Sequence, residues 1–327
     1  MKKFLESPAD LVPDSVSGLV MAHQDLLQVN ADPLFVHRRT PKTGKVAIVS
    51  GGGSGHEPMH TGYVGLGMLD AACPGEVFTA PSPDQIVEAA TRVDAGHGVL
   101  FIVKNYAGDC ASFNVASEML GISHATVLVN DDVAVENSLH STGRRGVAGT
   151  LVVEKIVGAA AESGASLARC KALGDQVNAH TASMAVAFTS CTVPDAGAPT
   201  FEIGESDMEV GVGIHGEPGR YRSPMMSANV IVDLLLDAVL KDLELSAGRR
   251  VLLLVNGFGG TPLIELHLLN RLATNRLLEL GLQVERWLVG SYASALEMAG
   301  ASLTLTALDD ETLAFWDAPV HTTSLRW

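Results

Sequence analysis

Short apolar runs alternating with helical stretches constrain this 327-residue chain more than any other feature. Lys45-Val46-Ala47-Ile48-Val49-Ser50 leads straight into Gly51-Gly52-Gly53, and Gly98 to Val103 and Ala125 to Asn130 repeat the pattern. Such runs read as buried strands. Between them Ser82-Pro83-Asp84-Gln85 opens a helix, with serine as N-cap, proline at the first helical position and glutamine closing a capping box. Strands alternating with helices of this length predict a largely parallel sheet covered on both faces. An alanine-rich helical region follows from Thr150 to about Met184, giving way to Ala185-Val186-Ala187-Phe188.

Two prolines and a glycine in Cys191 to Pro199 mark a linker. Beyond it the pattern predicts strands over Thr200 to Ile203 and Met208 to His215, then an amphipathic helix from Ser227 to Leu243. A strand from Arg250 to Asn256 precedes a helix ending near Gly281, with Thr261 as N-cap and Pro262 at N1. Strands at Val284 to Val289 and Leu303 to Thr306 complete a second unit. The fold class is therefore α/β with two domains, 1–190 and 191–327, each a largely parallel or mixed sheet flanked by helices. The tail after about 308 is free to return to the first.

A formal net charge of −15 argues against nucleic acid or an anionic membrane as partner. No apolar run is long enough to span a bilayer, and Met1-Lys2-Lys3-Phe4-Leu5-Glu6 is charged again before a signal-peptide core can form. The expected location is cytoplasmic. Cys73, Cys110, Cys170 and Cys191 are widely spaced and read as reduced thiols.

Two clusters carry candidate chemistry. Gly213-Ile214-His215-Gly216-Glu217-Pro218-Gly219 leaves one imidazole in nearly bare backbone, and a neutral imidazole can add to a reactive carbonyl. A turn histidine satisfied by backbone carbonyls is the other reading. Ser50-Gly51-Gly52-Gly53-Ser54-Gly55-His56 follows the first core strand, where free N–H groups of a glycine loop would cradle ligand oxygens. The dinucleotide fingerprint fails there at His56, no lysine completes a Walker loop, and Ser54 lacks the last glycine of a nucleophile elbow. His56-Glu57-Pro58-Met59-His60 matches HExxH, but Pro58 cannot lie mid-helix. It fits the first turn of a helix instead, with His56 in the preceding loop and no metal site. Lys104 and Asp109 end the next strand and can approach His56, a carboxylate and an imidazole forming an acid/base pair. An ordinary solvated loop explains the same charges.

Together these segments resemble the dihydroxyacetone-binding subunits (DhaK type) of the dihydroxyacetone kinase family. The likeness rests on residues 49–60, Ala72-Cys73-Pro74-Gly75-Glu76-Val77-Phe78, Lys104-Asn105-Tyr106 with Gly108-Asp109, Asp131 to Val135 and Gly143-Arg144-Arg145-Gly146-Val147. It continues at Gly211 to Gly219 and Phe315-Trp316-Asp317-Ala318-Pro319-Val320-His321. The resemblance implies a homodimer that binds dihydroxyacetone at a cleft between its domains, with His215 forming a hemiaminal. It implies His56 as acid/base, shared with Asp109, and substrate contacts from Gly53, Ser54, Gly55, Lys104 and Asp109. Single-chain members add a nucleotide domain after the part seen here. The likeness therefore points to the phosphoenolpyruvate-dependent type, in which ATP or ADP with magnesium sits on a separate DhaL-type subunit and this chain binds no cofactor. A non-catalytic sensor or coactivator, and a kinase subunit for another short ketose such as erythrulose, are the alternatives.

Overall fold

The computed structural model describes residues 2–135 and 143–327. Its first sheet contains β1 (Leu27–Ala31), β2 (Leu34–Arg38), β3 (Ala47–Ser54), β4 (Ala71–Val77), β5 (Val99–Lys104) and β6 (His124–Val129). They lie in the order β1-β2-β4-β3-β5-β6, parallel from β4 to β6, with β1 and β2 an antiparallel edge. Around it are α1 (Leu11–Ala22), α2 (Pro83–Val93), α3 (Ala107–Met119), α4 (Gly149–Glu162) and α5 (Leu167–Ala179). The predicted capping box on α2 is present, Ser82 accepting from Gln85 N–H and Gln85 returning the bond.

The second sheet takes β7 (Thr181–Ala187), β8 (Asp207–Val210), β9 (Tyr221–Pro224), β10 (Arg250–Gly257), β11 (Gln283–Gly290) and β12 (Gly300–Ala307). Its order is β11-β10-β12-β7-β8-β9, and only β10 with β11 is parallel. The architecture is α/β in both halves, with mixed sheets. α6 (Ala228–Leu243), α7 (Leu263–Glu279) and α8 (Asp310–Asp317) complete it.

Several expected elements differ. The helix expected to reach Met184 breaks at Ser163-Gly164, where Gly164 takes φ +90° and Ser166 caps α5; Met184 lies in β7. By hydrogen bonding, 181–187 joins the second sheet. Residues 200–203 form no strand, and β8 stops at Val210 because Gly211 turns the chain at φ +82°. Thr261 does not cap α7. Its hydroxyl is bonded to both backbone groups of Gly300, leaving Pro262 at the N-cap.

α4 explains how the halves hold together. It is buried from Gly149 to Ala161 and touches β3, β5 and β6 on one side and β7 and β12 on the other. A helix buried on every side belongs inside a core. One apolar cluster accordingly runs from Ile48 and Leu100 through Leu151 and Ile156 to Leu252 and Leu254. The C-terminal tail returns to the first half: Lys155 Nζ donates to Phe315 O at 2.7 Å, and His321 N–H donates to Leu66 O at 2.9 Å. All four cysteines are free, and burial pushes the Cys73 thiol up. Among the described residues no helix is long and apolar enough to cross a membrane.

Candidate active site

The expected glycine loop is in fact strand. β3 continues through Gly51, Gly52 and Gly53 to Ser54, with Gly51 opposite Cys73, Gly52 opposite Pro74 and Gly53 opposite Gly75 on β4. The glycines serve close approach rather than an open cradle. A Cβ on Gly51 would lie 2.6 Å from the Cys73 carbonyl oxygen, and one on Gly52 would lie 2.2 Å from Lys104 Nζ. β5 pairs with β3 only as far as Ser50 opposite Ile102, and beyond that the Lys104 side chain lies against Gly52.

His56 sits in the turn after β3. Pro58 does not start an α-helix there; a single 3₁₀ turn, Thr61–Tyr63, follows. The second half clamps this turn from outside. Leu296 N–H donates to Gly55 O at 2.9 Å, and Ser294 N–H donates to His56 O at 3.2 Å. His56 Nδ1 lies 2.8 Å from Ser294 O. A carbonyl only accepts, so Nδ1 carries the proton and Nε2 keeps its lone pair. Nε2 is buried without a hydrogen-bond partner. Burial holds the ring well below the usual histidine range, helped by His215 and the Lys104 charge. His56 is a neutral base with its basic nitrogen unoccupied.

His215 lies in the turn after β8, and the structure dresses it more heavily than bare backbone. Its Nδ1 is 2.9 Å from Glu217 Oε1, and its own N–H donates to Glu217 Oε2 at 3.0 Å. A carboxylate accepts, so Nδ1 again carries the proton and Nε2 keeps its lone pair. Local sequence makes this possible. A Cβ on Gly213 would stand 1.9 Å from Glu217 Oε2, and Gly216 takes φ +80°, turning the chain so that residue 217 faces residue 215. Burial pushes the Glu217 carboxyl up, but the His215 ring and the Arg145 guanidinium more than reverse this and hold it at about 2.

Aromatic rings fix both imidazoles. Phe78 stacks on His56 with centroids 4.9 Å apart and meets His215 edge-on at 5.1 Å; Tyr106 meets His215 edge-on at 4.5 Å. The two histidines are 4.7 Å apart, centroid to centroid, edge to face. Phe78 holds φ 58° and Leu296 φ 54°, left-handed conformations that cost roughly 1–2 kcal/mol each. Both side chains press on the same glycine: a Cβ on Gly55 would meet Phe78 Cε1 at 2.8 Å and Leu296 Cδ2 at 3.2 Å. Backbone strain of this kind gathers at functional sites.

A cleft of about 330 Å³ opens in front of this group, lined by Gly53, Phe78, Thr79, Ala80, Tyr106, Ala107, Gly108, Asp109 and His215. Of the residues singled out in the sequence, Gly53, Asp109 and His215 therefore share one cleft. His56 stands directly behind, against His215 and Phe78. Lys104 is buried beneath, with Nζ 3.6 Å from Asp109 Oδ2 and 2.8 Å from His60 Nε2. Ser54 and Gly55 are not brought in. They line a separate cavity on the side of α1, where the Ser54 hydroxyl donates to Gly75 O at 2.7 Å and Gly55 N–H donates to the Glu57 carboxylate. Glu217, Phe78 and Tyr106 escaped the sequence reading as site residues. For Glu217 the signal was present: a carboxylate two residues from a histidine with only glycine between.

The Dak1 domain family matches residues 17–324. The chain belongs to the dihydroxyacetone kinase family. It is 47% identical, over all of this chain and 99% of the other, to the PEP-dependent dihydroxyacetone kinase, dihydroxyacetone-binding subunit DhaK, of Escherichia coli. Among solved structures of the family, the dihydroxyacetone kinase of C. freundii superposes with TM-score 0.91 at 34% identity, covering 99% of this chain and 60% of that one. A dihydroxyacetone kinase operon co-activator, DhaQ, superposes with TM-score 0.91 at 31% identity, covering 95% of this chain and 97% of that one. The family's resemblance segments fall on the cleft just described: Gly53, Phe78, Tyr106, Asp109 and His215.

Proposed function

We propose that this chain is the dihydroxyacetone-binding subunit of a phosphotransferase-system-dependent dihydroxyacetone kinase, and that it holds the ketose as a hemiaminal on His215. One observation carries the reading. Two imidazoles in edge contact both have Nδ1–H tied to an acceptor, and among the described residues neither Nε2 has a hydrogen-bond partner. His215 lines the cleft, and its Nε2 adds to the C2 carbonyl carbon of the ketose. The C–N bond forms as the C=O π bond breaks, and the resulting alkoxide oxygen takes a proton from solvent water in the open cleft, leaving the ring cationic. The cationic ring formed on addition is stabilised by the Glu217 carboxylate on its Nδ1–H, as a carboxylate does for histidine in a catalytic triad.

Adduct formation selects for a carbonyl, so glycerol is rejected by reactivity rather than by fit. It also fixes C2, which holds the terminal hydroxyl in place for the incoming phosphoryl group. The hydroxyl proton goes to one of two groups, His56 Nε2, just behind the cleft, or Asp109, at its surface. Lys104, salt-bridged to Asp109, keeps positive charge beneath the acceptor site. The phosphoryl donor, ATP with magnesium, belongs in this reading to a DhaL-type partner subunit, with a homodimeric cytoplasmic assembly. We also place the domain division near residue 180, ahead of β7.

The likeness to a co-activator favours a second reading, a dihydroxyacetone sensor without transfer activity. One experiment addresses both. With dihydroxyacetone labelled at C2, carbon NMR should show the ketone signal replaced by a tetrahedral carbon, and His215→Ala should abolish it. Addition of a competent DhaL-type subunit with ATP then yields dihydroxyacetone phosphate only from a kinase subunit. A persistent ketone signal at saturating protein would refute the covalent reading.

A further inference from the structure

Behind Asp109 a buried chain of ionisable groups runs inward to the middle of α4. Lys104 Nζ stands 3.6 Å from Asp109 Oδ2 and 2.8 Å from His60 Nε2, and His60 Nδ1 is 2.6 Å from Glu154 Oε1. Every member is buried. The other polar neighbours are the Ser50 hydroxyl, 3.1 Å from His60 Nδ1, and His56 and Tyr63, close enough to couple electrostatically to His60 and Glu154 respectively. The hydrogen bonds fix the middle of the chain: an ammonium only donates, so His60 Nε2 accepts and its Nδ1–H points to Glu154.

Charge counting then singles out Glu154. The chain holds two carboxyls and one ammonium around a neutral imidazole, which leaves one surplus negative charge in a dry interior. Such a charge is costly, and in practice the group takes up a proton. Asp109 is next to the ammonium and at the cleft surface. Glu154 reaches the ammonium only through His60, and its Oε2 is buried without a hydrogen-bond partner. We propose that Glu154, acting through His60 and Lys104, is a positioning residue for phosphoryl transfer at Asp109: its carboxyl works in the protonated form, and its ionisation switches the transfer step off. The proposal rests on the kinase-subunit reading above. Transfer brings negative charge to the Asp109 end of the cleft, and a second buried anion behind Lys104 opposes that charge and draws the ammonium inward.

Burial pushes the Glu154 carboxyl up to about 8, with Ser50 and the Lys104 charge offsetting only part of it. Turnover by the complete kinase, with partner subunits in excess, should therefore fall about tenfold in kcat between pH 7 and pH 9, as a single group titrating there requires. KM for dihydroxyacetone should change little. In Glu154→Gln, which mimics the protonated acid, that fall should shrink to less than about twofold, and Glu154→Asp should bring it back. An unchanged alkaline fall in Glu154→Gln overturns the proposal. If the variant does not fold, infrared spectroscopy of the unmodified protein decides: a buried carboxylic-acid C=O band present at pH 7 and gone by pH 9 supports it, and no such band refutes it. The C2-carbon adduct assay at pH 7 keeps the two readings apart. Adduct without the pH effect sinks this inference alone, and no adduct sinks the reading beneath it.

Discussion

Replacing Glu217 by glutamine keeps the shape of the side chain and removes its charge, so it isolates what the carboxylate does for His215. The His215 ring and Arg145 overcome the effect of burial and hold this carboxyl at about 2, against an ordinary 4.5. A folded-state pKa that is depressed adds stability above the unfolded value, and that stability is lost as pH falls through the folded one. The depression is worth about 3 kcal/mol at pH 7 and about 1 kcal/mol at pH 3. Glu217 is 6% exposed, so solvent screening removes little of this. Urea unfolding of Glu217→Gln should therefore show a deficit of about 3 kcal/mol at pH 7 that narrows by about 2 kcal/mol at pH 3. The adduct should weaken as well. Glutamine Oε1 still accepts Nδ1–H and preserves the tautomer, but the cationic ring loses its counter-charge, and titration with C2-labelled dihydroxyacetone should read an affinity loss of about ten- to a hundredfold. Equal stability of the two proteins at pH 7, or a deficit that does not vary with pH, would refute the assignment of Glu217 as the ionised partner of His215.

Two further predictions separate the roles around the cleft. His56→Ala should retain the tetrahedral carbon signal and lose phosphoryl transfer by about 10²-fold or more, measured as dihydroxyacetone phosphate formed with the partner subunit; loss of the adduct as well would give His56 a binding role instead. Gly213→Ala puts a methyl group where Glu217 Oε2 now lies 1.9 Å away, so the carboxylate must leave the imidazole. That variant should keep native circular dichroism and show the weakened adduct of Glu217→Gln, and full adduct affinity would show that the carboxylate contact is dispensable.

Much of the scaffold is legible where local rules and burial agree. The Ser82 and Gln85 capping box, the apolar runs at 45–50 and 250–256 and the helix over 227–243 all appear close to where the sequence puts them. Strand direction is not legible, since an apolar run buried on both faces looks the same in a parallel or an antiparallel pair; the sequence therefore leaves each sheet largely parallel or mixed, and the structure makes both mixed. The break between α4 and α5 was available in Gly164 and Ser166, but continuous alanine content masked it. Gly51, Gly52 and Gly53 mislead for a different reason. Glycine suggests a loop because it leaves the backbone free, whereas here it is needed inside a strand by the Cys73 carbonyl and the Lys104 ammonium, which lie far away in sequence. His60 is the same kind of case: the HExxH decoy draws attention to it as a ligand, and only the fold reveals Glu154 and Lys104 on its two nitrogens.

The division of labour between the two free Nε2 atoms follows from their surroundings rather than from their tautomers, which are alike. His56 has a backbone carbonyl on Nδ1, complete burial and two neighbouring groups that disfavour positive charge, so a proton gained there is held weakly and passed on quickly. A covalent adduct at His56 would place a permanent polar group where no solvent reaches. His215 has a full carboxylate on Nδ1 and partial exposure to the cleft, so the positive charge that develops when its ring attacks a carbonyl is met in place and the product has room. Exchanging the two Nδ1 partners would leave both rings with the same free nitrogen, yet the buried one would hold its proton too tightly to release it. The exposed one would add to a ketone without a counter-charge. The identity of the Nδ1 acceptor is therefore what makes one histidine a transient base and the other a covalent anchor.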